Sequence, residues 1–250
     1  LGPRLFGVFP QGRLEQYLPS RRLRTEELRD PRVSAEIAVT MARFHGMAMP
    51  FNKEPKWLFG TMEGYLQQIS ELTFSEPSQL QQLEQLRGYN LEQEMRSLRS
   101  LPPPECPSAV PCPRPAPRRP QGRGVCGSLS SPLSPLSLLS QVPHVLLSLV
   151  GFDLGNHFCE WVYSYSHEGW PCFQAHPEHY PSRQQQLHFI RHYLSAALSG
   201  GAGRAPQEEQ ARLEEEMLRE IERFTLASHF FWGLWSVVQA KISTIHFGYL

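Results

Sequence analysis

The stretch that decides the fold runs from residue 151 to residue 165 and reads GFDLGNHFCEWVYSY. Its apolar side chains recur at the i, i+3, i+4 and i+7 spacing of neighbours on one helical face, namely Phe158, Trp161, Val162 and Tyr165. The pattern predicts a helix whose packed face carries three aromatic rings. Glu160 lies within this stretch, so that one carboxylate has mostly apolar neighbours along the chain.

Further helices are predicted on both sides of this stretch. Asp30 followed by Pro31 is typical of an N-cap with proline at the first helical position. Apolar residues at helical spacing then predict helices from Asp30 to Gly46, from Thr61 onward, across Leu80 to Leu98, from Gln184 to Leu198, and from Glu208 to about Ile242. Two short β-prone runs, Leu5 to Phe9 and Arg13 to Leu18, flank a Pro-Gln-Gly turn and predict a hairpin. We therefore expect an α+β chain that is mostly α.

The segment from residue 101 to residue 150 differs in composition from the rest of the chain. It holds twelve of the 23 prolines and a single acidic residue, Glu105, and its middle is almost entirely Ser, Leu and Pro. Such a composition cannot form a packed core, so we expect disorder, with one helical turn or a short strand at Val142 to Val150. The expected organisation is residues 1–100, a low-complexity insert at 101–150, and a helical part at 151–250.

Composition excludes several classes of function. The chain has 24 basic and 24 acidic residues, and this balance argues against a nucleic-acid partner. No run of about 18 apolar residues occurs, so no membrane span is expected. The cysteines are odd in number and irregular in spacing, which suits neither a disulfide framework nor a zinc site: Cys106, Cys112, Cys126, Cys159 and Cys172. We expect a soluble protein of the cytoplasm.

Short motifs for phosphate or metal binding are weak. The Gly-rich stretch at 199–205 precedes a helix but lacks the Lys-Ser/Thr pair of a phosphate loop, and is interpreted as a linker. His188 and His192 are spaced for one helical face, but without a third ligand a polar role between helices or at the surface is favoured. Residues 167–179 contain three histidines, two glutamates and a cysteine, at a spacing that disfavours a metal site.

Aromatic residues around one carboxylate are a stronger signal. Glu160 has Trp161, Tyr163 and Tyr165 beside it, and a second aromatic run spans residues 230–235, with Phe247 beyond. Aromatic faces and a carboxylate together attract a cation such as a quaternary ammonium. The alternative, which the residue pattern by itself favours, is a helix-packing core in which Trp232 and Trp235 only bury area. The residue pattern leaves both interpretations open.

Residues 151–161, GFDLGNHFCEW, closely resemble a signature of the choline/ethanolamine kinases. Four other segments also resemble this family: LEQYLPSR at 14–21, MARFHGM at 41–47, WLFGTM at 57–62 and ASHFFWGLWS at 227–236. The resemblance covers residues 1–100 and 151–250. It implies a partial protein-kinase-like fold, consisting of the C-terminal lobe and the hairpin at the lobe junction.

The resemblance also implies a chemistry and a set of site residues. The family reaction transfers the γ-phosphoryl group of ATP to choline or ethanolamine with Mg²⁺, as the first step of phosphatidylcholine and phosphatidylethanolamine synthesis. By position, Gln16 and Leu18 match the adenine-binding segment. The matches to the choline pocket are Glu160, Tyr165, Trp232, Trp235, Ile245 and Phe247. Kinases of this family are commonly dimeric, so dimerisation with an intact kinase is a possible partnership.

Two family motifs are absent from this sequence. The family carries its catalytic base and Mg²⁺ ligands on a His-Asn-Asp…Asn loop and an Asp-Phe-Glu motif, and residues 101–150, where both belong, have no Asp and no Asn. We therefore expect a truncated, catalytically inactive variant without catalytic or Mg²⁺-binding residues. The pyrimidine-rich coding expected for the Ser/Pro/Leu stretch suggests a retained intron. A non-catalytic variant that modulates an intact kinase and an unstable splice product are the alternatives.

Overall fold

The computed structural model describes residues 3–47, 56–100, 144–198 and 206–250. Most of the predicted low-complexity insert, residues 101–143, and the predicted linker at 199–205 lie outside the described residues. The end of that insert is helical from residue 144, so of the two structures expected at Val142 to Val150 the helix is the one observed.

Helices make up most of the described chain, with two small hairpins. In chain order the elements are β1 (Leu5–Phe9), β2 (Gly12–Glu15), a 3₁₀ helix (Thr25–Arg29), α1 (Pro31–His45), α2 (Lys56–Glu71), α3 (Pro77–Arg87), α4 (Leu91–Ser100), α5 (His144–Glu160), β3 (Tyr163–Ser164), β4 (Gln174–Ala175), a 3₁₀ turn (Pro177–His179), α6 (Arg183–Leu198) and α7 (Gln207–Ile242). Strands β1 and β2 pair antiparallel, as do β3 and β4. None of the described helices combines the length and apolar character needed to cross a bilayer.

The start of α1 follows the predicted capping. The Asp30 carboxylate accepts hydrogen bonds from the backbone N–H groups of Arg32 at 2.8 Å and Val33 at 3.3 Å, and Pro31 occupies the first helical position. These bonds satisfy two of the N–H groups that have no partner inside the helix. The mostly α character, the first hairpin, and the predicted helices at α1, α6 and α7 are confirmed.

The single helix predicted across Leu80 to Leu98 is wrong, because the chain breaks into α3 and α4. Gly88 ends α3 with its N–H on the carbonyls of Glu84 and Gln85, at 3.1 and 3.2 Å. Asn90 then starts α4, where its side-chain oxygen accepts a hydrogen bond from the N–H of Gln93 at 3.1 Å. A turn at Gly88 followed by an asparagine cap overrides a leucine spacing that continues across both helices.

The predicted helical face from Phe158 to Tyr165 is also only partly correct. Helix α5 ends at Glu160, and its last turn tightens, with Trp161 N–H on the Phe158 carbonyl at 3.3 Å. The next residues turn into β3, where the Val162 carbonyl accepts a hydrogen bond from His176 N–H at 2.7 Å. Tyr165 therefore follows a strand and is not on the helix. The second predicted helix likewise begins at Lys56, earlier than Thr61.

Helices α5 and α7 form the most extensive helix–helix contact in the described chain. On one side of this pair, α2, α3 and α4 pack against Phe152 and the second half of α7, around Phe231. On the other side, α1 and α6 pack against Phe158 and the first half of α7, around Ile221. The α5–α7 pair therefore joins two apolar clusters, and both depend on its geometry.

Two glycines set how closely α5 and α7 approach. A Cβ atom at Gly155 would lie 2.9 Å from the backbone nitrogen of Thr225 and 3.2 Å from the carbonyl oxygen of Ile221. A Cβ at Gly151 would lie 2.7 Å from the Phe224 ring. The contact at Gly155 is with backbone atoms, which cannot move aside as a side chain can. Glycine at this position allows the two helix backbones to touch.

We therefore predict that Gly155→Ala lowers the free energy of unfolding by about 1–3 kcal/mol, because the added methyl group must push α7 away. The measurement is urea unfolding followed by circular dichroism. The matched control is Gly233→Ala in α7, where a Cβ would meet nothing within 4 Å. This change should raise stability by up to about 1 kcal/mol through helix propensity. Equal stability of the Gly155→Ala variant and the wild type would contradict the close approach.

Candidate functional site

Glu160 is the last residue of α5, and its carboxylate is partly buried. Tyr165 Oη donates a hydrogen bond to Glu160 Oε2 at 3.1 Å. Burial raises the pKa of the Glu160 carboxyl above its ordinary value, and the hydrogen bond from Tyr165 opposes this rise. In the part of the chain that the structure describes, no Lys or Arg pairs with this group. The site thus holds a partly buried acid without a basic partner.

Asn156, one helical turn before Glu160, fixes the orientation of α7. Its Oδ1 accepts hydrogen bonds from Trp232 Nε1 at 2.7 Å and from Ser228 Oγ at 2.9 Å. The Trp232 ring packs edge-on against Trp235, with centroids 5.4 Å apart. Trp232 nevertheless keeps 42 % of its surface exposed, which is not expected of a residue that serves only to fill a core. The tryptophan is held by its indole N–H while its ring remains accessible.

The remaining rings connect Tyr165 with Trp235. Phe247 has its ring centroid 6.4 Å from Tyr165 and 4.9 Å from Tyr249. Tyr249 in turn lies 5.9 Å from Trp235. Successive contacts therefore lead from Tyr165, whose hydroxyl group is bonded to Glu160, to the tryptophans of α7. The bond from Trp232 to Asn156 then returns to α5. These five rings are named the aromatic circuit: Tyr165, Phe247, Tyr249, Trp235 and Trp232.

Two aromatic residues of this region, Phe173 and Tyr249, were missed by the sequence reasoning. Phe173 stacks on Phe247 at 5.4 Å, and Tyr163 stacks on Tyr165 at 6.3 Å. The place of Phe173 depends on the pairing of β3 with β4, which a two-residue strand does not signal. Tyr249 could have been found, because it follows Phe247 at a spacing of two and can turn to the same side of an extended chain.

Ile245 is less closely tied to the site than the other predicted residues. Its side chain is exposed, and it lines a cavity of about 450 Å³ together with Phe247 and Tyr249. A larger groove of about 780 Å³ between α3, α4 and α7 also reaches Tyr249, but contains none of the predicted site residues. Four of the five other predicted pocket residues are therefore connected with Glu160, Tyr165 directly through its hydrogen bond and Phe247, Trp235 and Trp232 through successive ring contacts.

Gln16 and Leu18, the predicted nucleotide contacts, lie beyond β2. Gln16 pairs with Arg4 twice, through its N–H to the Arg4 carbonyl at 2.8 Å and through its side-chain oxygen to the Arg4 N–H at 3.3 Å. Leu18 is exposed. Within the described ranges no hydrogen bond or ring contact joins either residue to the aromatic circuit. Further along the chain, Thr25 Oγ1 donates a hydrogen bond to the Tyr163 carbonyl at 2.7 Å, which connects this segment with β3.

Both aspartates of the sequence have structural partners. Asp30 caps α1, as described above, and Asp153 Oδ2 lies 3.0 Å from His45 Nε2. The other nitrogen of His45 lies 2.9 Å from Tyr193 Oη. This chain of three polar groups ties α1, α5 and α6 together. Asp153 lies two helical turns before Glu160 and is engaged with α1.

The remaining candidate groups divide into buried and surface types. Burial raises the pKa of the Cys159 thiol to about 11, which disfavours the reactive thiolate. His188 Nε2 lies 2.9 Å from the Pro31 carbonyl, so that His188 bridges α6 and α1 in the polar role favoured from the sequence. His176, Glu178 and His179 bring three metal-ligand atoms within 4.8 Å of one another on the turn after β4.

His157 lies on α5, three residues before Glu160. Its Nε2 accepts a hydrogen bond from Trp161 Nε1 at 3.3 Å, and its ring packs on Phe189 with centroids 4.9 Å apart. Burial lowers the pKa of the His157 imidazole to about 4. The neutral imidazole therefore belongs to the folded state, and acidification works against it.

Comparison with known proteins identifies the family of this chain. The model of the choline/ethanolamine kinase family matches residues 1–108 and 147–250. A human choline/ethanolamine kinase is 53 % identical over 251 residues, and mouse choline kinase alpha is 52 % identical over 252 residues. These matches cover 100 % of this chain, but 61 % and 54 % of the two relatives, respectively. The chain thus spans less than two thirds of their length, and the resemblance seen in the sequence is confirmed.

Solved structures give the same fold. The chain is similar to the crystal structure of a choline kinase from Cryptosporidium parvum, with a TM-score of 0.64 at 21 % identity, over 99 % of this chain and 69 % of that one. A Plasmodium vivax ethanolamine kinase gives a TM-score of 0.62 at 20 % identity, over 99 % of this chain and 64 % of that one. The partial kinase-like fold expected from the sequence is confirmed by these likenesses.

We predict that His157 makes the fold sensitive to acid. Because its pKa is near 6.5 in the unfolded chain and about 4 in the folded one, stability should be complete above about pH 6.5 and fall as the pH drops towards 4. His157→Gln keeps an acceptor for Trp161 and should flatten this decline, measured as the free energy of unfolding against pH. His167→Gln, at an exposed position, should retain the wild-type profile. A steep decline that persists in His157→Gln would assign the acid sensitivity to another group.

Proposed function

The chain belongs to the choline/ethanolamine kinase family, and on this premise we propose that it binds a choline-like ammonium cation without phosphorylating it. One observation carries the proposal: the partly buried Glu160 accepts a hydrogen bond from Tyr165, the first of five aromatic rings that are joined by successive contacts. The residues that would carry binding are the ones expected from the resemblance, with Tyr249 added. Choline and ethanolamine are both included, since either presents a small cation with a hydroxyl group.

The charge arrangement favours a cation as the ligand. Removing a carboxylate from water costs free energy that a partner charge normally offsets, and Glu160 has only the neutral Tyr165 hydroxyl as its partner among the described residues. A quaternary ammonium supplies the charge without needing an acceptor for an N–H group. Its methyl groups can lie on the faces of Trp232 or Phe247, where the π quadrupole adds attraction of about 0.5–2 kcal/mol.

Absence of phosphoryl transfer is the second half of the proposal. Transfer needs acidic and amide side chains that hold Mg²⁺ and position the acceptor hydroxyl. Residues 101–150 provide one glutamate, no aspartate and no asparagine, and the chain's two aspartates are engaged with the start of α1 and with His45. These residues do not fit Mg²⁺-bound ATP, so we assign no step of the family reaction to this chain.

The match to the family has a gap that bears on the origin of the Pro/Ser/Leu-rich stretch. The match stops at residue 108 and resumes at residue 147, on both sides of the Pro/Ser/Leu-rich stretch. We propose that a retained intron encodes this stretch, and that the chain is a splice variant of a family member.

A second candidate function is modulation of an intact kinase of the family. It rests on the β1–β2 hairpin, whose large apolar side chains are more than half exposed, namely Leu5, Phe6, Val8, Phe9 and Leu14. A hairpin with apolar side chains on both faces is suited to association with another chain. Failure of cation binding, together with co-purification of this chain with an intact kinase, would favour this role.

The cation-binding proposal predicts that Glu160→Gln weakens choline binding about tenfold, equivalent to about 1.4 kcal/mol, because the charge is lost while the shape is kept. Isothermal titration calorimetry with choline chloride measures this. Because burial raises the pKa of Glu160, the affinity of the wild type should fall with decreasing pH before an exposed glutamate would protonate.

Glu36→Gln is the matched control, since Glu36 is an exposed glutamate of α1 and should leave the affinity unchanged. The pH dependence should disappear in Glu160→Gln. If Glu160→Gln binds choline as tightly as Glu36→Gln, Glu160 does not hold the cation and the proposal is wrong.

The second half of the proposal predicts no turnover. Incubation of the purified chain with ATP, Mg²⁺ and choline should give no phosphocholine above a sample without protein, because the groups that position the phosphate are absent. An intact kinase of the family in the same assay shows that product can be detected. Phosphocholine formed in proportion to the amount of this chain would refute inactivity while leaving the binding result valid.

A further inference from the structure

We propose that His176, Glu178 and His179 form a binding site for a late first-row divalent cation such as Zn²⁺. The site lies on the 3₁₀ turn between β4 and α6, outside the aromatic circuit. It is independent of the proposed ammonium site and of the family's Mg²⁺ chemistry, since none of its residues takes part in either.

The distances between the ligand atoms suit a small metal ion. His176 Nδ1 lies 3.3 Å and His179 Nε2 3.8 Å from the same carboxylate oxygen, Glu178 Oε1, and all three atoms lie within 4.8 Å of one another. Tetrahedral Zn²⁺ with bonds of about 2.0–2.2 Å separates its ligand atoms by roughly 3.3–3.5 Å. The 3.3 Å separation already has this value, the 3.8 Å separation exceeds it by a few tenths of an ångström, and rotation of the exposed imidazole rings would adjust the remaining distances.

The backbone holds these side chains in place before any ion arrives. His176 N–H donates to the Val162 carbonyl at 2.7 Å, which anchors the start of the turn beside β3. His179 N–H donates to the His176 carbonyl at 2.9 Å, and Pro177 restricts the backbone between them. The two imidazole rings are tilted by 31° to each other, with centroids 4.9 Å apart. Less backbone freedom therefore remains to be lost when an ion binds.

The chemistry of the ligands selects the class of ion. Two imidazoles and one carboxylate form a His₂Glu set, which suits Zn²⁺ with an open fourth position, whereas Mg²⁺ requires octahedral oxygen ligands. The three side chains are 34–66 % exposed, so water can occupy that fourth position. The other close histidine pair, His188 and His192, is a weaker competitor, because His188 Nε2 already faces the Pro31 carbonyl.

Titration of the full-length chain with ZnCl₂ by isothermal titration calorimetry tests the site. The wild type should bind one Zn²⁺ here, and His179→Ala and Glu178→Gln should each weaken this binding at least tenfold, since losing a ligand costs no less than the roughly 10–100-fold attributed to losing an outer-shell partner. MgCl₂ should produce no heat attributable to this site. Because Zn²⁺ would bind the folded chain, it should also raise the thermal midpoint of the wild type and not that of His179→Ala.

The double variant His188→Ala/His192→Ala is the matched control and should bind Zn²⁺ like the wild type. Circular dichroism of each variant verifies folding, and Glu178→Gln changes a single exposed group without removing a ring. Binding that survives in His179→Ala and Glu178→Gln but disappears in the control would overturn the proposal. The proposal would also be overturned if the folded wild type bound no Zn²⁺ at concentrations up to about 100 μM. A dissociation constant of that size corresponds to a binding free energy of about −5.5 kcal/mol.

Discussion

The direct backbone contact between α5 and α7 at Gly155 is the constraint on which the rest of the structure depends. It brings Asn156 within hydrogen-bond distance of Ser228 and Trp232, and these two bonds set the rotation of α7 about its axis. Rotation of α7 in turn decides which side of that helix carries Trp232 and Trp235 towards the end of α5. Trp232, which is held by Asn156, therefore depends on the close approach that the adjacent Gly155 permits. A single packing contact links the core to the site.

Partial burial of Glu160 disfavours the charged form of its carboxylate. Burial raises the pKa of Glu160, and the one hydrogen bond from Tyr165 compensates for only part of the lost hydration. Asp153 on the same helix differs in both respects, because its carboxylate is exposed and lies 3.0 Å from His45. A protein optimised only for stability would give Glu160 a similar partner or replace it with an apolar residue. Retaining an acid of this kind is more understandable if a cation from solution completes the site.

Prediction from the sequence succeeded where the signal is local. Asp30 with Pro31 specified the start of α1, and apolar spacing specified α6 and α7, because capping and helical periodicity act over a few residues. Prediction failed where a competing local signal had to be weighed, as at Gly88, which ends a helix that the leucines would have continued. It also failed at Tyr165, since the end of α5 is determined by pairing between β3 and β4.

The site residues were predicted by resemblance, and their arrangement could not have been derived from spacing. Spacing placed Tyr165 on a helical face with Phe158, whereas the structure places it after β3 with its hydroxyl on Glu160. Phe173 reaches the circuit through that same short hairpin. Such contacts arise between segments distant in sequence, and two-residue strands carry too little pattern to reveal them.

The proposed cation site and the predicted nucleotide contacts lie on different segments of the chain. Every residue of the aromatic circuit lies between residues 165 and 249, and the helix that positions Glu160 packs against α7 from the same half. The predicted nucleotide segment instead belongs to the hairpin at the other end of the chain, where Gln16 pairs with Arg4 and Thr25 provides a hydrogen bond to β3. Residues 101–150, which separate these segments, have no Asp and no Asn. Helices α5 and α7, which carry the proposed ammonium site, pack against each other and also against α1 to α4 in the two apolar clusters, so cation binding as proposed requires the helices on both sides of residues 101–150.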